Sequence, residues 1–288
     1  MIITKLKGGL GNQMFQYAIA RSLSSKNTVY LDLSFLKNNN TSSVHFTKRD
    51  FELGIFPVSY KISSDKEREI FYSKSFTNRI LRKLLYGNFT HITQSENEFV
   101  NISASKNIYL DGYFQSEKYF AHIRDILLTD FTFPDLDVEN KIVQKEINAT
   151  ENAVSIHLRR GDYLKPDIQK YHGSLPSEYY LEAINFLNEN FENCSFFVFS
   201  DDIIYCKEIF KNIKNIEYID HNHGNNSWKD MYLMTQCRHH IIANSSFSWW
   251  GAWLGQKDGK TIAPKNWFNK EVANFDIQDI IPKNWITI

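Results

Sequence analysis

The first thirty residues leave few options for the fold. Residues 2–6 are apolar and of strand length, and Gly8, Gly9 and Gly11 then make a tight turn. Residues 12–24 follow with Met14, Phe15, Ala18, Ile19 and Leu23 near a 3.6-residue period, the pattern of an amphipathic helix. Extended sequence resumes over 27–33. A strand, a helix and a strand in that order imply a crossover, and crossovers build parallel sheets.

The same rhythm continues down the chain. A strand is expected over 108–114 and a helix over 116–128. Residues 131–150 carry Pro134 and many polar residues and are read as the approach to a boundary. Beyond it the pattern predicts strands over 153–158, 196–199, 216–219, 241–243 and 261–263. Helices are predicted over 177–190, with Pro176 near the first turn, over 227–238 and from 247 to 254. Ser227 and Asp230 have capping-box spacing at the start of the 227–238 helix. The expectation is α/β, with two Rossmann-like domains, 1–150 and 151–288, facing each other across a cleft.

Composition narrows the function classes. The chain has 288 residues, 42% of them hydrophobic and 15% aromatic, which fits a packed core and not disorder. Formal net charge is zero, so no general nucleic-acid binder is indicated. An anionic ligand has to be met by local arginines. Cys194, Cys206 and Cys237 show no CxxC spacing, which argues against a zinc site or a redox dithiol. Their sparse, odd number fits a reducing compartment. No stretch approaches the roughly 18 apolar residues of a membrane span, and no signal peptide is read at the start. Residues 78–86 set Arg79, Arg82 and Lys83 beside Ile80, Leu81, Leu84 and Leu85. The favoured reading is the solvated face of a packed helix, and a peripheral membrane contact is the alternative.

In open α/β sheets, ligands bind outside the carboxyl ends of the strands, and four clusters fall there. KGGLGNQ (7–13) ends the first strand, where its glycines allow close backbone approach and the next helix end favours an anion. It is neither GxGxxG nor a P-loop, and Asn12 is its residue of interest. HLRRGDY (157–163) ends the 153–158 strand. Arginine forks suit phosphate and carboxylate oxygens, with a structural Arg–Asp pair as the plain alternative. FSDD (199–202) offers Asp201 and Asp202, either for a ligand or to cap the next helix. NSSFSWW (244–250) presents Ser245, Ser246 and the Phe247 N–H at a helix start, a diphosphate cradle. The tryptophans after them read as core. Asp135-Leu136-Asp137 spells DxD but follows Pro134 in an expected linker, and no metal site is assigned.

Together with GGLGNQMFQYA (8–18), GYFQSEKYF (112–120) and the tract 231–254, these clusters resemble the bacterial α-1,2-fucosyltransferases of glycosyltransferase family 11. The resemblance implies a GT-B architecture and GDP-L-fucose as donor. It implies inversion at the fucose carbon, no required metal and no cofactor. The acceptor would be the O2 hydroxyl of a galactose-containing glycan, with a lipid-linked surface polysaccharide or O-antigen repeat as a fitting example. The N-terminal domain would take the acceptor side and the C-terminal domain the donor. The protein would be cytoplasmic or peripheral at the inner membrane.

The resemblance gives Arg159 the phosphate contact, and makes His157, Asp201 and Asp202 nucleotide contacts. Ser245, Ser246 and Phe247 would hold the diphosphate, and Asn12 would approach the donor. Tyr113, Phe114 and Gln115 are acceptor candidates, with a core role equally open for the two aromatics. Arg160 would orient Asp162 or bind acceptor. Asp162 is the candidate base, since a carboxylate can accept the acceptor proton, and His157 is the second candidate because an ordinary imidazole titrates near neutrality. Two other readings stay open: a sugar-nucleotide binding protein without turnover, and a fucosyltransferase of another linkage.

Overall fold

The structure is a computed structural model. It describes residues 1–24, 28–39, 41, 47–72, 75–94, 99–102, 107–161, 163, 165, 169–170, 173–269 and 279–288. The chain divides into two compact units, one mainly from residues before 134 and one mainly from 134 onward.

The first unit holds a parallel sheet of β1 (Ile2–Lys5), β2 (Val29–Asp32), β3 (Tyr60–Ile62), β4 (Phe89–Thr93) and β5 (Asn107–Asp111). Its order is β3-β2-β1-β5-β4. Helix α1 (Leu10–Leu23) joins β1 to β2. From Leu10 to Arg21, Asn12 alone escapes burial. α2 (Ser34–Asn38), α3 (Asp65–Tyr72), α4 (Phe76–Tyr86) and α5 (Arg124–Asp130) complete the described helices.

The second unit contains α6 (Val138–Ala149), β6 (Ala153–Leu158), α7 (Ser177–Asn190), β7 (Ser195–Ser200), α8 (Ile203–Ile209) and β8 (Ile216–Ile219). These are followed by α9 (Trp228–Gln236), β9 (His239–Ile241), α10 (Ser246–Trp253), β10 (Thr261–Ala263) and β11 (Ile286–Thr287). Its sheet is again parallel, ordered β11-β10-β9-β6-β7-β8. Counted within the unit, this is the doubly wound order 3-2-1-4-5-6, with the reversal between β6 and β9. Alternate strand residues feed opposite cores. Val154, Ile156, Phe196 and Val198 pack with Ala183, Ile184 and Leu187 of α7. Ala153, Phe197 and Phe199 pack with Val143, Ile147 and Leu233. Trp249, Trp250 and Trp253 are core, as read from the sequence.

Four local expectations are corrected. α6 joins the second core through Val143 and Ile147, so the boundary falls at 133/134 and not at 150/151. The strand expected over 108–114 stops at Asp111, and Phe114 turns to φ 51°. The helix expected over 116–128 is two 3-10 turns, Glu117–Tyr119 and Ala121–Ile123, leading into α5. The break falls at Phe120, whose φ of −145° and ψ of 0° lie outside the helical region. The capping box does not form: Ser227 is already helical at φ −57° and makes no side-chain cap. Asp230 instead accepts from Asn222 Nδ2 at 2.7 Å.

Candidate functional site

The second unit places three of the sequence clusters around its sheet reversal. β6 and β9 are hydrogen-bonded neighbours, with Ile156 opposite Ile241. Their ends deliver His157, Arg159 and Arg160 from one strand and the turn Asn244–Phe247 from the other. β7, on the far side of β6, ends at Ser200 and supplies Asp201 and Asp202. Further links tie the loops together. Tyr163 Oη donates to the Asn244 carbonyl at 3.0 Å, and the His157 and Phe247 rings lie 5.6 Å apart.

The two arginines are held by the two aspartates. Arg159 Nη1 lies 3.0 Å from Asp201 Oδ2, and Arg160 Nε donates to Asp202 Oδ2 at 3.1 Å. The Arg160 N–H donates to Asp201 Oδ1 at 2.9 Å, and its guanidinium lies 3.7 Å from the Tyr205 ring centroid. Asp202 also caps α8, accepting from the Tyr205 N–H at 3.1 Å. The capping and ion-pair readings of FSDD are therefore both realised in one loop. A Cβ on Gly161 would come within 2.7 Å of Asp201 Oδ2, so glycine there keeps the Arg159–Asp201 pair intact. Asp162 lies outside the described residues.

His157 is buried, and its Nδ1 finds no hydrogen-bond partner among the described residues. Burial first, then the Arg159 charge, pulls its pKa down to about 3. An orphaned buried polar atom costs about 1–3 kcal/mol and in a native protein calls for a reason. Ser245 is the N-cap of α10, and its hydroxyl accepts from the Phe247 N–H at 3.3 Å. Asn244 is buried and structural, donating to the carbonyls of Gly173 and Trp267 at 3.3 and 3.2 Å.

The first unit treats its reversal, between β1 and β5, differently. The anion expected at the α1 end is the chain's own Glu52, whose carboxylate accepts from the Leu10 N–H at 3.3 Å. Gln13 is buried and donates to the carbonyls of Gly8 and Asp50 at 2.9 and 2.7 Å. It accepts from the N–H groups of Glu52 and Leu53 at 2.9 and 3.1 Å. Gln16 stitches the β1 loop to the β5 loop, accepting from the Lys7 N–H and donating to the Gly112 carbonyl. Lys5 and Lys7 both pair with Asp111 at the end of β5.

Asn12 Oδ1 accepts from Gln115 Nε2 at 2.7 Å, so these two predicted residues meet within the first unit. Tyr113 is exposed, whereas the Phe114 side chain is fully buried, edge-on to Tyr119. Sequence reasoning missed Gln13, Gln16 and Asp111. A buried amide serving four backbone partners has no one-dimensional mark beyond its place in a glycine-rich turn.

DLD has a structural use. Asp137 caps α6 through the Asn140 N–H at 3.0 Å and pairs with Lys229 at 2.6 Å. Among the described residues no group of three His, Cys, Asp or Glu side chains is arranged to hold a metal ion.

Comparison with known proteins gives the family and the fold. The profile of Glycosyl transferase family 11 matches residues 1–288. An alpha-1,2-colitosyltransferase from Escherichia coli is 38% identical over 285 residues, covering 95% of this chain and 94% of that one. The O-antigen biosynthesis glycosyltransferase WbnK of Escherichia coli is 34% identical, over 94% and 97% of the two chains. Among solved structures, fucosyltransferase NodZ from Bradyrhizobium superposes with a TM-score of 0.51 at 12% identity, covering 87% of this chain and 91% of its own. That likeness concerns the fold, two parallel α/β units of the GT-B class. Matched along its whole length, the chain belongs to glycosyl transferase family 11.

Proposed function

We propose that this family 11 enzyme is an inverting α-1,2-fucosyltransferase, moving L-fucose from GDP-L-fucose to the O2 hydroxyl of a galactose-containing glycan. One observation carries the reading. Arg159 and the Ser245–Phe247 helix start stand at the ends of adjacent strands of the sheet reversal, beside a buried His157 with an orphaned Nδ1. That setting supports a diphosphate subsite formed by Arg159, Ser245, Ser246 and the Phe247 N–H.

The acceptor O2 bonds to the anomeric carbon while the bond from that carbon to the β-phosphate oxygen breaks. The electron pair leaves with GDP, and the β-linked sugar becomes α-linked. Charge grows on the leaving diphosphate. Arg159, its guanidinium directed by Asp201, is the group we assign to meet it. Charge-assisted hydrogen bonds contribute about 1.5–3 kcal/mol each. The acceptor proton passes to a carboxylate, and Asp162 keeps that role in this reading.

With its pKa near 3, His157 is too weak a base at neutral pH and serves as a nucleotide hydrogen-bonding group instead. Asp201 and Asp202, engaged by the arginines, act as positioning residues. Arg160, packed on Tyr205 and paired with Asp202, is better read as an anchor than as an acceptor contact. In the first unit Asn12, Gln115 and Tyr113 remain the candidates for sugar contacts, while buried Phe114 supports them. Protein cations take the place of a metal in this scheme.

The test is incubation with GDP-fucose and lactose. Lactose-dependent GDP release and an α-1,2 linkage by NMR are expected. Tight GDP binding without release across many acceptors would make the chain a non-catalytic binder, and another linkage would reassign the acceptor hydroxyl. A second reading rests on the 38% identical colitosyltransferase: the sugar transferred is colitose, which lacks the 3-hydroxyl of fucose. Competing GDP-fucose against GDP-colitose decides between them, because a site that hydrogen-bonds a hydroxyl rejects the analogue without it by about 10⁴ or more. The name of the second relative supports an O-antigen glycan as natural acceptor.

A further inference from the structure

Helix α4 is inverted relative to an ordinary surface helix, which buries its apolar stripe and shows its polar face. Its half-buried edge is Asn78, Arg82 and Tyr86, four residues apart. Arg82 Nη1 donates to the carbonyls of Ile70 and Phe71 at 3.1 and 2.8 Å, and its guanidinium lies 5.0 Å from the Phe89 ring centroid. Tyr86 packs on Phe71 with ring centroids 5.0 Å apart.

The apolar residues point the other way. Phe76 is 75% exposed, Leu84 78% and Leu85 58%, with Ile80 and Leu81 exposed beside them. Phe76, Ile80 and Leu84 make one i, i+4 stripe, and Leu81 and Leu85 the next. The helix is bounded at both ends. The Ser75 hydroxyl caps it through the Asn78 N–H at 3.2 Å, and Gly87 closes it at φ 61°. Single exposed apolar residues are ordinary, whereas a contiguous set marks an interaction surface.

Charge identifies the occupant. α4 carries Arg79, Arg82 and Lys83 and no acidic residue, in a chain of zero formal net charge. Arg79 and Lys83 are exposed, one turn apart, along the edge of the apolar face. Apolar side chains flanked by cations match a bilayer surface with anionic headgroups: the former enter the acyl boundary and the latter meet phosphates. Among the described residues no helix is long and apolar enough to cross a membrane, so the contact is with one face of the bilayer. We infer that α4 docks the protein on an anionic phospholipid surface. This reverses the solvated-face reading of the sequence.

The test is co-sedimentation of the full chain with phosphatidylcholine vesicles, with and without 30% phosphatidylglycerol. Two exposed cations predict binding about 30-fold tighter to the anionic vesicles, lost in 0.5 M NaCl. F76S/L84S and R79E/K83E should each lower binding about tenfold or more while melting like wild type, since none of the four side chains is buried. Wild type that ignores anionic vesicles overturns the inference. So does either variant binding as wild type does, or vesicle-independent dimerisation of the wild type that F76S/L84S abolishes. None of these readouts uses transfer activity.

Discussion

The two units build the same kind of parallel sheet and use its reversal in opposite ways. In the first unit the loops at β1 and β5 are stitched to the protein itself. Glu52 occupies the start of α1, Gln13 serves four backbone groups, and Lys5 and Lys7 converge on Asp111. In the second unit the loops at β6 and β9 gather Arg159, the buried His157 and a serine-capped helix start. The difference teaches that a glycine turn before a helix is not in itself an anion site. What decides is whether the chain has already supplied a carboxylate to the helix end.

Substitutions can break this contrast. The largest expected effect is that of Arg159→Ala, a fall of about 10²–10³ in kcat with melting close to wild type. Turnover within tenfold of wild type with donor bound would remove Arg159 from the leaving group. Gln13→Ala should do the reverse. Four backbone groups lose the side-chain partner that Gln13 gives them, and buried unsatisfied groups cost about 1–3 kcal/mol each. Chemical denaturation should show a loss of roughly 3 kcal/mol or more. A midpoint shift too small to resolve would mean that the amide is not holding the loop. Gly161→Ala sharpens the contrast further. Its Cβ meets Asp201 and should disturb the Arg159 pair, lowering kcat about tenfold without a matching loss of stability.

Acid should affect the second unit first. Burial, aided by neighbouring cations, pulls His157 to about 3, His239 to about 4 and His240 to about 3. Each is neutral when folded and gains a proton on unfolding below its ordinary value of about 6.5. Their contribution is complete above that pH and is lost as pH falls toward the folded values, by up to about 1.4 kcal/mol per pH unit for each. Asp230 opposes them. Burial lifts it to about 7, so the folded state gains from protonating it as pH falls from 7 toward 4. Three groups outweigh one, and net destabilisation is expected from pH 6.5 to 4.5. All six tryptophans lie in the second unit, so tryptophan fluorescence reads it directly, and a flat melting midpoint across that range would contradict the assignment. The smallest effect is expected from EDTA: unchanged transfer rate, against the marked loss a required metal would cause.

Much of the second site was legible because its chemistry sits in contiguous loops at strand ends. HLRRGDY, FSDD and NSSFSWW each follow an apolar strand, and the parallel sheet sets them side by side. The pairing was not legible. Arg160 is read from the sequence as orienting Asp162 or binding acceptor; its side chain pairs with Asp202, forty-two residues on, while Asp162 lies outside the described residues. A run of residues states which charges are near in sequence, while the sheet order states which are near in space. The capping box failed for a similar reason: Asp230 accepts from Asn222 Nδ2, and the Ser227 N–H goes to the Gly224 carbonyl.

By itself the sequence determined the alternation of strand and helix, the family, and the loops that carry the candidate site, since these rest on local periodicity and short contiguous motifs. The tertiary structure decided which loop is filled by its own chain and which orients arginines. It also showed that α4 turns its apolar face outward. Periodicity reveals that a helix has an apolar stripe, but only packing against Ile70, Phe71 and Phe89 fixes which side of the helix is covered.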